Sequence, residues 1–183
     1  MPLSLFDSVN LHNVYSSADE IRGGRFKFSE DSVSWRFVPP INWANMPAEP
    51  EVARVIQKWA MIDPFLEFFD ETRDPAAIDQ AIFFMLDWQG FHQRGRKITK
   101  HAWDEDAVRE RVSRLAYVLS MIEIHPELTS KNYSGDLIGL ADFHIQRSIN
   151  PDFGLGSKQI FNMEEFRTLC QVLDALPSCQ MES

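Results

Sequence analysis

The stretch from Trp103 to Ile122, WDEDAVRERVSRLAYVLSMI, constrains the fold more than any other part of the chain. Val108, Val112, Leu115, Leu119 and Ile122 recur at alternating steps of four and three. That spacing lines them up along one side of a helix. Arg109, Glu110, Ser113 and Arg114 fall off the stripe and are expected to face outward or toward a neighbouring loop. Asp104, Glu105 and Asp106 crowd the front end, where carboxylates cap free N–H groups and meet the positive end of the helix dipole. Trp103 stands just before them. The stretch therefore predicts a core helix with a polar, aromatic-flanked tip, and that tip is the first place to look for function.

With 183 residues, the chain is long enough for one domain with a sizeable core. The formal net charge of −9 argues against a nucleic-acid-binding surface. The one basic run, Arg94 to Lys97, is short and interrupted by glycine, as a solvated loop would be. Cys170 and Cys179 make neither a metal spacing nor a disulfide framework, and the bland expectation is two thiols in a reducing compartment. The N-terminal residues MPLSLFDSVNLHN have no basic segment followed by an apolar run, so a cytoplasmic location is expected. No stretch is long and apolar enough to span a bilayer.

Residues 1–50 are expected to form an extended arm. Arg25 to Phe28 alternates, as do Val33, Trp35 and Phe37, and period two with aromatics suggests short strands. Two short strands are marginal alone, so the arm should lie on a helical body. From Glu51 the periodicity turns helical. Val52, Val55, Ile56 and Trp59 make a first apolar face, and Pro64 is expected to end or kink that helix. Asp74-Pro75 reads as an N-cap followed by a first helical proline. Ile78, Ala81, Ile82, Met85 and Trp88 form the next stripe, with Gly90 and Gly95 in a loop after it. Leu137, Ala141, His144 and Ile145 mark another helix. Ile160, Met163, Phe166, Cys170, Leu173 and Leu176 mark a last one. Residues 51–183 thus read as about five helices with no βαβ alternation.

The chain carries no phosphate-binding glycine loop, HExxH, GxSxG or CxxC pair. The acidic trio Asp104, Glu105 and Asp106 has two readings. It could hold a cation or serve as acid and base, or it could simply cap the helix and charge its first turn. His144 lies on an apolar face and reads either as a core histidine bonded to backbone or as a ligand or base. His92 and His101 are expected to be exposed. Trp88 reads as core. Aromatic rings beside carboxylates and arginine suit a sugar, whose C–H face stacks and whose hydroxyls need polar partners.

Several segments together resemble the N-terminal helical domain of the heparinase II/III-like polysaccharide lyases, over about Phe26 to Pro177. FKF followed by INWANMP resembles the arm before that domain, and DETRDPAAIDQAIFFMLDW resembles its helix pair. HAWDEDAVRERV resembles the family stretch W-D-D-H-A-T-x-x-R, matching at Trp103, Asp104, Ala107 and Arg111. LADFHIQRSI places His144 at the family's histidine position. DFGLGSKQIF resembles the stretch that reads N-H-G in active members.

The resemblance implies a mostly α fold, an incomplete α/α toroid of antiparallel helical hairpins with an N-terminal extended arm. It implies a groove for an acidic polysaccharide or oligosaccharide, lined by Trp103, Asp104, Asp106, Arg111, His144 and Asp152. In that family a uronate carboxylate is neutralised at N-H-G, a Tyr or His takes the C5 proton, and the bond at C4 breaks by β-elimination. This chain departs from the pattern. N-H-G reads Asp152-Phe153-Gly154, and Asp106 stands where W-D-D-H has its histidine. A negative charge there opposes a uronate. The expectation is a divergent, non-catalytic, sugar-binding relative with no cofactor or metal. The alternatives are a lyase subunit completed by a partner chain, and a helical interaction module whose open toroid edge takes a protein partner or a second copy.

Overall fold

The computed structural model describes residues 9, 11–94, 99–149 and 164–173. They are mostly helical. Seven α-helices are described: α1 (Ala18–Arg22), α2 (Pro50–Gln57), α3 (Asp63–Thr72), α4 (Pro75–Arg94), α5 (Glu105–Ile124), α6 (Ser134–Ile149) and α7 (Glu164–Val172). A two-stranded antiparallel ribbon, β1 (Arg25–Phe26) and β2 (Trp35–Arg36), pairs Arg25 with Arg36 and Phe26 with Trp35. Among the described residues no helix is long and apolar enough to cross a membrane.

Contacts divide the chain into two compact units. The first in sequence holds Leu11–Ala102 with Leu128–Ser130, so the extended arm shares a unit with α2, α3 and α4. The second holds Trp103–Glu127 and the described residues from Lys131 onward.

In the first unit the alternating sequence makes the ribbon, and two glycines make the turn into it. Gly24 has φ +82°, and a Cβ there would lie 2.5 Å from the Phe37 carbonyl oxygen. That carbon must therefore stay bare. The ribbon's aromatics turn inward: Phe37 meets Phe84 edge-on at 5.5 Å, and Trp35 packs against Phe37 and Trp43. Asp87 on α4 fastens the arm. Its Oδ2 accepts from Trp43 Nε1 at 2.8 Å and from the Ile41 amide at 3.1 Å. Asp63, fully buried at the start of α3, accepts from the His12 amide at 2.8 Å.

Helix α1 was not expected, although its signal is local. Ser17 and Glu20 form a reciprocal capping box, the S-x-x-E pattern of a helix start. Helix α2 ends before Pro64 acts. The chain turns at Trp59, whose φ of 65° is left-handed, runs through a 3-10 turn at Ala60–Ile62, and starts α3 with Pro64 in its first turn. Proline there lacks only an N–H that would have no helical partner anyway. Asp74 caps α4 as expected, accepting from the Ala76 amide at 3.0 Å. Ile78, Ala81, Ile82, Met85 and Trp88 are all buried. Gly90, expected in a loop, lies inside α4, which continues to Arg94. Gly95 to Lys97 lie outside the described residues. His92 is buried rather than exposed. It stacks on Trp88 at 3.9 Å, donates from Nδ1 to the Trp88 carbonyl, and pairs through Nε2 with Thr99 Oγ1 at 2.7 Å.

In the second unit α6 and α7 both pack on α5. The stripe of α5 is buried as expected, but burial does not stop at the stripe. Glu110, Ser113 and Arg114, expected outside, are buried as well, while Arg109 keeps solvent access. A helix packed on more than one side has no outward face to give them. Arg114, fully buried, is held instead by its own helix. Its Nη1 donates to the Glu110 carbonyl at 3.1 Å and meets the Glu110 carboxylate at 3.3 Å. Arg109 pairs with Glu105 at 2.8 Å and reaches Glu165 of α7 at 3.6 Å. Leu137, Ala141, His144 and Ile145 are buried along α6. On α7 Phe166 and Leu169 face inward. Cys170 is disulfide-bonded, not a thiol. Ile160, Met163, Leu176 and Cys179 lie outside the described residues.

Candidate functional site

The tip of α5 brings four of the six expected site residues together with His144. Asp104 occupies the N-cap position, as expected, with its carbonyl accepting from the Val108 amide at 3.0 Å, but its side chain makes no cap hydrogen bond. Asp104 and Asp106 are exposed. Trp103, immediately before the cap, is half-buried. The other four tryptophans, Trp35, Trp43, Trp59 and Trp88, are all buried, so Trp103 alone among the five is partly exposed.

Arg111 and His144 were expected to line a groove, and the structure buries both completely. They support the tip from within. Arg111 lies two helical turns below Asp104, and its guanidinium carbon sits 5.5 Å from the centre of the Trp103 ring. Its Nε donates to His144 Nε2 at 3.0 Å. His144 Nδ1 meets the Leu140 carbonyl at 3.0 Å. A carbonyl only accepts and a guanidinium only donates, so the proton of this imidazole sits on Nδ1 and Nε2 offers its lone pair. The carbonyl of one α6 turn thereby fixes a tautomer, which orients an arginine, which backs an indole. Phe143 meets the same ring edge-on at 5.9 Å. Burial lowers the Arg111 pKa to about 9, and the nearby Asp104 carboxylate works in the opposite direction. Arg111 remains cationic at neutral pH.

Asp152 lies outside the described residues, as does the Asp152-Phe153-Gly154 stretch matched to N-H-G. Among the described residues no group of three or more His, Cys, Asp or Glu side chains is placed to hold a metal ion.

Among the described residues two hollows stand out in the other unit, and neither was legible in the sequence. One, of about 440 Å³, lies between α1 and α3 and is edged by Asp19, Glu67, Glu71 and Asp74, with Arg22 and the exposed Phe68. Arg22 is engaged by Asp19 at 2.8 Å. Burial, together with the charges of Asp63 and Glu71, raises the pKa of Glu67. The other, of about 490 Å³, lies between the arm before α2 and the turn at Thr99 to His101.

Compared with known proteins, the chain matches no family model, no curated protein and no solved structure. The likeness to the lyase helical domain therefore rests on the residues quoted for it.

Proposed function

We propose that this chain is a glycan-binding helical module, a divergent and non-catalytic relative of the heparinase II/III-like toroid domain, with its sugar platform at the tip of α5. One observation carries the proposal: Trp103 is the single tryptophan that is not buried, and the buried Arg111, hydrogen-bonded to His144, lies 5.5 Å from the centre of its ring. An indole held in this way presents a flat apolar face at little entropic cost, which is what stacking on a pyranose requires. Asp104 and Asp106, exposed beside it, accept hydrogen bonds from sugar hydroxyls. Two carboxylates favour a neutral or amino sugar over a uronate, because like charges repel.

The test is a glycan-array screen of wild type against Trp103→Ala, followed by titration of the best ligand. The expected result is saturable binding to neutral or amino-sugar oligosaccharides, weakened about tenfold or more by the substitution, as for removal of a central aromatic anchor. Unchanged helicity by circular dichroism confirms that the loss is local. Equal binding by the two proteins, or no saturable glycan at all, overturns the platform. An ultraviolet absorbance rise from unsaturated uronate, produced by the purified chain alone, overturns the non-catalytic part.

A further inference from the structure

We propose that the hollow between the arm and the turn at Thr99 to His101 is a second, independent binding site, and that it takes a small monocarboxylate with an aliphatic or aryl body. Its volume of about 490 Å³ falls in the range of small-molecule pockets, roughly 300–1,000 Å³. One wall comes from the arm and the first turns of α2, where Met46, Pro47, Ala48 and Ala53 offer small apolar surfaces. The opposite wall is the turn carrying Lys100 and His101.

Both walls are fixed by contacts outside the hollow. The arm is tied to α4 through Asp87, which accepts from Trp43 Nε1 and the Ile41 amide. The opposite turn is tied through Thr99, whose Oγ1 pairs with the buried His92, and through the Ala102 amide, which donates to the Thr99 carbonyl. His101 follows with φ 66°, the left-handed region that side chains rarely adopt. The hollow is therefore largely formed before a ligand arrives, which lowers the ordering cost of binding.

The lining chooses the ligand class. Lys100 is the one lysine, arginine, aspartate or glutamate among the described residues that line the hollow. An ammonium at the rim attracts a carboxylate head group. The wall of alanines, prolines and methionine suits a hydrocarbon body better than a polyhydroxylated one. Lys100 is an exposed residue of the lining, so the carboxylate is to pair with it at the rim and the hydrocarbon is directed inward.

The experiment is calorimetric titration of the full chain with sodium octanoate, octan-1-ol and inorganic phosphate, repeated on Lys100→Gln and Ala48→Trp. The Lys100 variant removes the charge at an exposed position. The Ala48 variant plugs the hollow from its exposed rim and leaves the core alone. Octanoate should bind saturably at one site. Octanol binding and octanoate binding to Lys100→Gln should each be about fivefold weaker, the scale of an exposed ion pair. Ala48→Trp should abolish binding. Octanol as tight as octanoate, phosphate that competes equally, octanoate binding unchanged in Ala48→Trp, or no saturable octanoate binding would each sink the proposal. Trp103→Ala should leave octanoate binding intact, so this result stands or falls separately from the glycan platform.

Discussion

Replacing Asp87 by alanine should unfasten the arm from α4. The carboxylate accepts from two donors of buried residues, Trp43 Nε1 at 2.8 Å and the Ile41 amide at 3.1 Å. Each is a hydrogen bond to a charged acceptor, with a net value of about 1.5–3 kcal/mol. Truncation leaves both N–H groups without that acceptor. Asp87 itself is only half-buried, so water can enter and recover part of the loss. The expected cost is therefore about 2–4 kcal/mol. Asp87→Asn keeps an acceptor oxygen but loses the charge, and should cost about 1 kcal/mol. Urea denaturation followed by circular dichroism measures both values. Hydrogen exchange supplies the local readout, because the Ile41 amide should lose protection in Asp87→Ala while amides inside α5 keep theirs. A cycle with Trp43→Phe isolates the indole bond: the Asp87→Ala penalty should shrink by about 1–2 kcal/mol in that background. A penalty below about 0.5 kcal/mol, or one unaltered by Trp43→Phe, would refute the assignment of Asp87 as the fastener, since ordinary surface substitutions already fall in that range.

Two further outcomes follow from the same unit. Gly24→Ala should destabilise by about 1–3 kcal/mol, because the residue is left-handed and its new Cβ would crowd the Phe37 carbonyl; a denaturation midpoint equal to wild type would contradict this. Glu67 holds its proton more tightly in the fold than in the unfolded chain, owing to burial and then to Asp63 and Glu71. The folded state therefore binds the extra proton, and stability falls as pH rises from the ordinary glutamate value through the raised one. Glu67→Gln should accordingly raise the melting temperature at pH 7, by an amount worth less than about 1 kcal/mol and reduced by salt. The gain should vanish below about pH 4, where both states are protonated. A gain that persists in acid would point to packing rather than charge.

What the chain announced on its own is what adjacent residues settle among themselves. The α5 stripe, the Asp74-Pro75 start of α4, the alternation of the arm and the burial of Ile78, Ala81, Ile82, Met85 and Trp88 all follow from periodicity or from capping within a few residues. The Ser17–Glu20 capping box was equally readable and marks a helix that periodicity did not suggest. Gly90 misled because its helix propensity cost, about 1 kcal/mol, is small beside the packing of its neighbours Trp88 and Gln89. Prediction from pattern also assumes that a polar residue has water to face. That assumption failed for Glu110, Ser113 and Arg114, because α5 is covered on more than one side.

The tertiary structure alone decided which groups meet across long stretches of chain. Trp43 finds Asp87, His12 finds Asp63, and Arg111 finds His144, 33 positions further along the chain. No local rule selects those partners, since each pairing depends on where separate helices are brought by packing. The sequence placed an indole and two acids at one helix tip. Packing buried the arginine and the histidine beside that indole and left Trp103 partly exposed, and a charged group drawn into a core must be satisfied by whatever the fold puts beside it.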